Sequence, residues 1–280
     1  MVKIITDTTA CLPPEMAEKY QIPVIPQVII FGEDSYYEGL EIDIKTFMQR
    51  MKASKELPKT AAPPPELFVK EFKRLVPEGE AILCIHPSSE VSGTVRSAQV
   101  AAMDFPQATI HVIDTRTISS PLGTMVELAL QYAQEGCEAD EIVARLKSLS
   151  DRCRVYFLVS TLEYLARGGR IGGASALLGS VLQIKPILAL KDGRVEQHER
   201  ARTYKRALQR LKALALEQAP TNGEGYLSIM HAGVPDEAQK LAQELGAALK
   251  QPDVPVRDMP PAIVTHGGPG ILGIAFFVKE

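Results

Sequence analysis

Ala81-Ile-Leu-Cys-Ile-His-Pro-Ser-Ser-Glu-Val-Ser-Gly-Thr94 passes from an apolar run into a loop of small hydroxyl residues, and helical spacing over Gly93–Ala102 follows it. The run Ala81–Ile85 is too short for a buried helix and is closed by a proline, so it reads as a strand. Hydroxyls and free backbone N–H groups then converge on a helix N-terminus, which is a natural anion site. Capping of the helix together with a turn at Gly93 accounts for the same residues equally well. The pattern repeats on either side. Val2–Thr6, Val24–Phe31 and Thr109–Ile113 read as strands, and Pro14–Lys19, Pro64–Val76 and Leu122–Glu135 as helices. Such alternation implies an α/β fold with a mainly parallel sheet sandwiched by helices. In sheets of this kind ligands lie beyond the carboxyl ends of the strands, where these polar loops fall.

After a helix over Ala139–Leu149 the pattern changes, with strands expected at Val155–Ser160, Pro186–Lys191, Tyr226–His231 and Ile274–Val278. Asp192-Gly193 is a tight-turn signal between Ile187–Leu190 and Arg194–Gln197, so an antiparallel pair is expected there. The reading divides the chain into residues 1–150, an N-terminal α/β domain carrying the hydroxyl-rich loops, and residues 151–280, a C-terminal α/β domain with a mixed or antiparallel sheet. The apolar window Ile171–Leu190 is interrupted by Gln183, Lys185 and Pro186, so it reads as wall material of a soluble fold.

With 45% apolar and 23% charged residues among 280, the composition is that of an ordinary globular protein. A net charge of −3 provides no general attraction for nucleic acid, so an anion must meet a local basic patch. Cys11, Cys84, Cys137 and Cys153 form no C-x-x-C pair, and free thiols with no metal site are expected. The opening residues read directly as a strand with no signal-peptide pattern, which points to the cytoplasm. Phosphate loops, dinucleotide fingerprints, metalloprotease motifs and nucleophile elbows are all absent from the sequence.

Five further groups of residues bear chemistry. In Thr6-Asp-Thr-Thr9, Asp7 or Thr8 could cap a helix or line a cleft. Thr60 in Lys59-Thr-Ala-Ala-Pro63 precedes a proline-rich helix start. His266, in Thr265-His-Gly-Gly-Pro-Gly270, is placed in a glycine-rich loop where the backbone can approach a ligand closely. Basic residues run from His198 through Arg200, Arg202, Lys205 and Arg206 to Arg210 and Lys212 along a helix and its entry loop, either as a solvated face or as a docking surface. Arg167-Gly-Gly-Arg170 lies on a loop whose role spacing alone does not decide.

Taken in order, Asp7-Thr8-Thr9 with Leu12-Pro13, Thr60 with Pro63, Ser88-Ser89 through Ser92-Gly93-Thr94, Asp114-Thr115 before a glycine-bearing helix, Leu165-Ala-Arg-Gly-Gly-Arg-Ile171, and Thr265-His266 before Gly268-Pro-Gly270 resemble the DegV family nearly end to end. The resemblance implies two α/β domains with one long-chain fatty acid between them. Its carboxylate would lie near the hydroxyl loops and its tail in a pocket of the second domain. It implies a bacterial, cytoplasmic, monomeric lipid-binding protein without catalytic machinery or cofactor. Such a protein presents the carboxylate to a fatty acid kinase for acyl-phosphate formation and contacts the membrane surface transiently. Carried over by motif, Thr60, Ser92 and His266 bind the carboxylate, with Thr8, Gly93, Thr94 and Gly267 beside them. Arg170, Arg200 and Arg202 match positions near the partner or membrane surface. One departure stands out: the family's threonine loop usually reads Thr-Ser-Gln-Pro, and Ala61 and Ala62 here lack a hydroxyl and an amide.

Two other classes compete with this reading. One is a serine-dependent acyl hydrolase or transferase using Ser92 as nucleophile and His266 as base. The other is a lipid-sensing regulatory protein. Energetics favour a carrier whose tail dominates affinity: burying about fourteen methylenes releases on the order of 11 kcal/mol gross, against about 1.5–3 kcal/mol for each hydrogen bond to a charged group.

Overall fold

The computed structural model describes residues 2–54, 56–178 and 184–279. By its internal contacts the chain forms two compact units, Met1–Asp151 and Arg152–Glu280. In chain order the first contains β1 (Lys3–Asp7), α1 (Pro14–Lys19), β2 (Val24–Ile25), β3 (Val28–Phe31), β4 (Asp34–Tyr37), α2 (Ile44–Ala53), β5 (Lys59–Ala61), α3 (Pro65–Leu75), β6 (Ile82–His86), α4 (Thr94–Ala102), β7 (Ile110–Asp114), α5 (Ser120–Gln134) and α6 (Ala139–Arg152). Strands β2-β1-β6-β7 form a four-stranded sheet with every pairing parallel.

Successive strand residues face opposite sides of that sheet. Ile5, Ile82 and Cys84 join Phe68 and Phe72 of α3 and Ala98 and Ala101 of α4 in one buried cluster. The intervening residues Ile4, Leu83 and Ile85 are equally buried, and α5, whose Leu122, Met125, Val126 and Ala129 are buried, packs against β1 and β6. The register sets His86 beside Asp114 and carries Asp7 to the same carboxyl edge of the sheet.

The stretch Val24–Phe31, expected as one strand, is two. β2 belongs to the parallel sheet, while β3 is the centre of an antiparallel sheet ordered β4-β3-β5. The break falls at Pro26 and Gln27. Proline has no N–H for a ladder, and Gln27 bonds elsewhere: its N–H donates to Thr8 Oγ1 at 3.2 Å and its carbonyl accepts from Glu38 N at 2.9 Å. Helix α2 is capped by Asp43, which accepts from Thr46 N at 2.6 Å, and it buries Phe47 against Phe31 with ring centroids 5.7 Å apart.

The second unit contains β8 (Cys153–Leu158), α7 (Glu163–Arg167), β9 (Lys185–Lys191), β10 (Arg194–Ala201), α8 (Tyr204–Gln218), β11 (Ser228–His231), α9 (Pro235–Leu249), β12 (Val256–Asp258), α10 (Pro261–Gly267) and β13 (Leu272–Phe277). Its six-stranded sheet runs β10-β9-β8-β13-β11-β12 and is mixed, with only β11 and β12 parallel. The Asp192-Gly193 turn joins β9 and β10 as an antiparallel hairpin. Helices α8 and α9 bury Leu211, Leu214, Leu241 and Leu245 with Tyr156, Ile187, Ile229, Ile274 and Phe276 of the sheet. Of the expected wall segment Ile171–Leu190, residues 179–183 lie outside the described residues. Gly172–Leu177 is a 3-10 turn against β10, burying Ala174 and Leu177.

Candidate functional site

In the first unit the chemistry gathers at the carboxyl edge of the parallel sheet. Asp7, the last residue of β1, is fully buried, and its carboxylate is surrounded by donors. Oδ1 accepts from Thr9 N at 3.0 Å, Thr9 Oγ1 at 2.6 Å and Gln27 Nε2 at 3.0 Å, and Oδ2 accepts from His86 Nδ1 at 2.7 Å. A buried carboxylate persists when it is satisfied in this way. Of the two candidates Asp7 and Thr8, Asp7 is the one that caps, on the 3-10 turn Thr8–Ala10, and it also ties together β1, the β2–β3 link and β6. The ring of His86 meets that of Phe68 edge-on, with centroids 5.3 Å apart.

From Gln27 the network continues outward. Its Nε2 also donates to Thr94 Oγ1 at 2.9 Å, and Thr94 Oγ1 lies 2.8 Å from Ser92 Oγ. Ser92 is half-buried just ahead of α4, and its Oγ accepts from Thr94 N at 3.3 Å. Ser88 is fully buried; its N–H donates to Thr117 O at 2.8 Å and its hydroxyl accepts from Glu90 N at 3.2 Å, which shapes the turn carrying Ser92. Thr60 sits half-buried in β5, opposite Ile29. Two residues on, the Ala62 methyl would lie 3.2 Å from a Cβ at Gly93, so the Thr60 segment passes directly beside the Ser92 loop. Thr8 turns inward, its hydroxyl donating to the buried Glu38.

In the second unit His266 is helical. It lies in the last turn of α10, whereas a glycine-rich loop was expected from Thr265 onward; Pro260 and Pro261 start a helix that ends at Gly267, before the left-handed Gly268. A Cβ at Gly168 would collide with His266 Nδ1, and one at Gly268 with the ring of Tyr164. The Arg167-Gly-Gly-Arg170 loop is thus a close-fitting seat for the imidazole. Arg170 closes on its own loop, donating from Nη1 to Gly168 O at 2.8 Å. Burial, and secondarily the Arg170 cation, lower the His266 pKa from 6.5 to about 4. The ring is therefore neutral near pH 7 and carries one N–H donor. Gly267 is buried, with Ile271 where a side chain would go.

The basic stretch splits in two. Arg210 is held by Glu199 at 2.8 Å and Glu217 at 2.6 Å, and Lys212 pairs with Glu244. Arg200 on β10, Arg202 in the β10–α8 link, and Lys205 and Arg206 at the start of α8 are exposed. Arg200 donates to Gln197 Oε1 at 2.8 and 3.1 Å, and Thr203 caps α8 by accepting from Arg206 N at 3.2 Å. Among the described residues no group of three or more His, Cys, Asp or Glu side chains could hold a metal ion, and no helix is long and apolar enough to cross a membrane. Gln27 and His86 escaped the sequence reading, which includes Gly168 only within the Arg167-Gly-Gly-Arg170 loop. For Gln27 and His86 the available signal was their place at the ends of apolar runs; for Gly168 it was the Gly-Gly pair.

Comparison with known proteins bears on the whole chain. A family model described as an uncharacterised protein of the DegV family matches residues 1–279. A DegV domain-containing protein of Halalkalibacterium halodurans is 34% identical over 280 residues, covering 100% of this chain and 99% of its own. Among solved structures, a fatty-acid-binding DegV family protein from Thermus thermophilus aligns with a TM-score of 0.90 at 33% identity, covering 99% of both chains. The fatty-acid-binding protein DegV of Bacillus subtilis aligns at 0.89 and 32% identity, again over 99% of both. With a family match from the first strand to the last and relatives above 30% identity along their full length, this chain belongs to the DegV family.

Proposed function

We propose that this protein binds a long-chain fatty acid and presents its carboxylate to a fatty acid kinase, which supplies the nucleotide site and the catalysis. The observation that carries the reading is the Ser92 loop. A half-buried hydroxyl is held at the N-terminus of α4 by a chain of hydrogen bonds running inward to Asp7, which suits a small anionic head group. Two close structural relatives are themselves fatty-acid-binding proteins. In this reading Thr60, Ser92 and His266 hydrogen-bond the carboxylate, with Thr8, Gly93, Thr94 and Gly267 around them. The neutral His266 donates one N–H without adding a charge that the buried seat would disfavour. The tail lies along apolar residues of the second unit, and the exposed Arg200 and Arg202, with Arg170, face the kinase or the membrane surface. Ala61 and Ala62 in place of a polar pair leave most of the affinity in place, because the tail dominates it.

The test is direct. The protein is purified from a lipid-rich host and denatured, and the released molecules are identified by mass spectrometry; near-stoichiometric fatty acid is expected. Loaded protein supplied with a bacterial fatty acid kinase and ATP should then yield acyl phosphate, and Ser92→Ala and His266→Ala should each reduce that yield at least about tenfold, the worth of one charge-assisted hydrogen bond. No released acyl chain, together with a melting temperature indifferent to added fatty acids, would sink the carrier reading. Covalent labelling of Ser92 by an active-site serine probe would point to acyl transfer instead.

A further inference from the structure

Ser92 Oγ has two lone pairs and one proton to place. Two inward groups meet it: the Thr94 N–H at 3.3 Å and the Thr94 hydroxyl at 2.8 Å. The direction of the second contact is decided one bond deeper. Gln27 Nε2 lies 3.0 Å from Asp7 Oδ1 and 2.9 Å from Thr94 Oγ1. An amide oxygen turned that way would oppose a carboxylate, so the NH₂ group faces inward and both of its hydrogens are used. Thr94 Oγ1 is thereby an acceptor towards Gln27. Thr94 is fully buried, and among the described residues the acceptor its own proton reaches is Ser92 Oγ. Were Ser92 to donate instead, the Thr94 proton would be stranded in a dry site, which is the costly arrangement.

We infer that Asp7, Gln27 and Thr94 act as a relay of fixed hydrogen-bond direction that makes Ser92 an obligate outward donor, so that its site selects an acceptor-only carboxylate over a neutral head group on the same chain. The inference rests on the reading that Ser92 meets the carboxyl group. Both Ser92 lone pairs are filled from inside, so only the proton is offered to a ligand. A carboxylate takes that proton in a charge-assisted bond, roughly twice as strong as a neutral one. A fatty alcohol accepts it weakly, and its own hydroxyl proton finds no lone pair on Ser92. Asp7, Gln27 and Thr94 act through the Ser92 hydroxyl; they are positioning residues, and the selectivity they confer is chemical rather than steric.

The readout is the ratio of affinities for a sixteen-carbon fatty acid and the matching fatty alcohol, measured by displacement of a fluorescent acyl probe. Thr94→Val preserves shape and removes the relay hydroxyl. The acid-to-alcohol ratio should fall about fivefold, the worth of roughly one net hydrogen bond. Thr94→Ser should restore it to within about twofold, and Gln27→Met should lower it in the same direction as Thr94→Val. If Ser92→Ala leaves the ratio unchanged, the head-group reading itself fails. If Ser92→Ala lowers the ratio while Thr94→Val and Gln27→Met do not, the relay is wrong and the head-group reading stands. Equal loss of both affinities in the relay variants would make these residues merely structural and would likewise overturn the inference. The native protein provides a check that needs no variant. The ¹³C-carboxyl resonance of bound labelled fatty acid should remain that of a carboxylate below the pH at which the free acid protonates, because a donor stabilises the charged form. A bound acid titrating at or above the free value refutes the relay.

Discussion

In the first unit Ser92 is held by hydrogen bonds running inward through Thr94 and Gln27 to Asp7, whereas in the second His266 is held by the bare backbone of Gly168, where a side chain would not fit. The two modes of support fail differently. A polar network tolerates small changes of volume but not the loss of an acceptor, because every donor aimed at that acceptor is then buried without a partner. A steric seat depends on close fit and on a neutral ring, so it fails on an added methyl group or an added proton.

The largest effect should come from the acceptor at the centre of the first network. Asp7→Ala would strand Thr9 N–H, the Thr9 hydroxyl, the Gln27 amide and His86 Nδ1 together. Urea unfolding should show a loss of about 3–5 kcal/mol, the scale reached when several buried donors at about 1–3 kcal/mol each lose their common acceptor. A loss under about 1 kcal/mol would mean that water takes over the role of Asp7 and that the network is softer than its geometry suggests.

Acid should expose the other mode of support. His266 binds a proton near its ordinary pKa of 6.5 in the unfolded chain but only near about 4 in the fold. Between those values the unfolded state holds more protons, so stability rises with pH across the window and is lost as pH falls from 6.5 towards 4. The full shift corresponds to an upper bound of about 3 kcal/mol, reduced by whatever solvent reaches the ring. His266→Gln should flatten this part of the stability profile, measured as the difference between variant and parent at pH 7 and pH 4.5. Identical slopes in the two proteins would show that the imidazole is not desolvated by its seat.

A smaller effect separates collision from loop geometry in that seat. Gly168 has φ −76°, which alanine adopts freely, so Gly168→Ala is penalised by its methyl, chiefly against His266 and secondarily against the Tyr164 carbonyl oxygen at 3.0 Å. Gly169 has φ +69° and open space around it, so Gly169→Ala is penalised only by backbone conformation. The first should cost about 1–3 kcal/mol and weaken fatty acid binding. The second should cost about 1 kcal/mol and leave binding intact. If both variants bind alike, the Gly-Gly pair serves the turn rather than the imidazole.

Much of this molecule was legible beforehand because its elements are short and cleanly punctuated. The strand–loop–helix run from Ala81 to Ala102 emerges as β6, the Ser92 turn and α4 with boundaries one residue apart, and the Asp192-Gly193 turn forms its hairpin. Val24–Phe31 misled because a run of Val, Ile and Pro reports apolar surroundings without reporting which sheet each part joins. His266 was assigned to a loop because glycines follow it, yet the prolines at 260 and 261 start a helix that reaches Gly267. The basic stretch looked uniform in sequence, and only the carboxylates opposite Arg210 and Lys212 separate its neutralised part from its solvent-facing part.

By itself the sequence determined the α/β alternation, the hydroxyl loops at strand ends and a family resemblance spread from Asp7 to Gly270, because these depend on residue type and local spacing. Tertiary structure alone decided that Asp7 meets His86 across 79 positions and that Gln27 meets Thr94 across 67. It alone decided that Gly168 makes room for His266. The physical reason is that the direction of a hydrogen bond and the room for an imidazole are properties of strand register and backbone approach. These bring together residues far apart in the chain, and no local pattern of side chains encodes them.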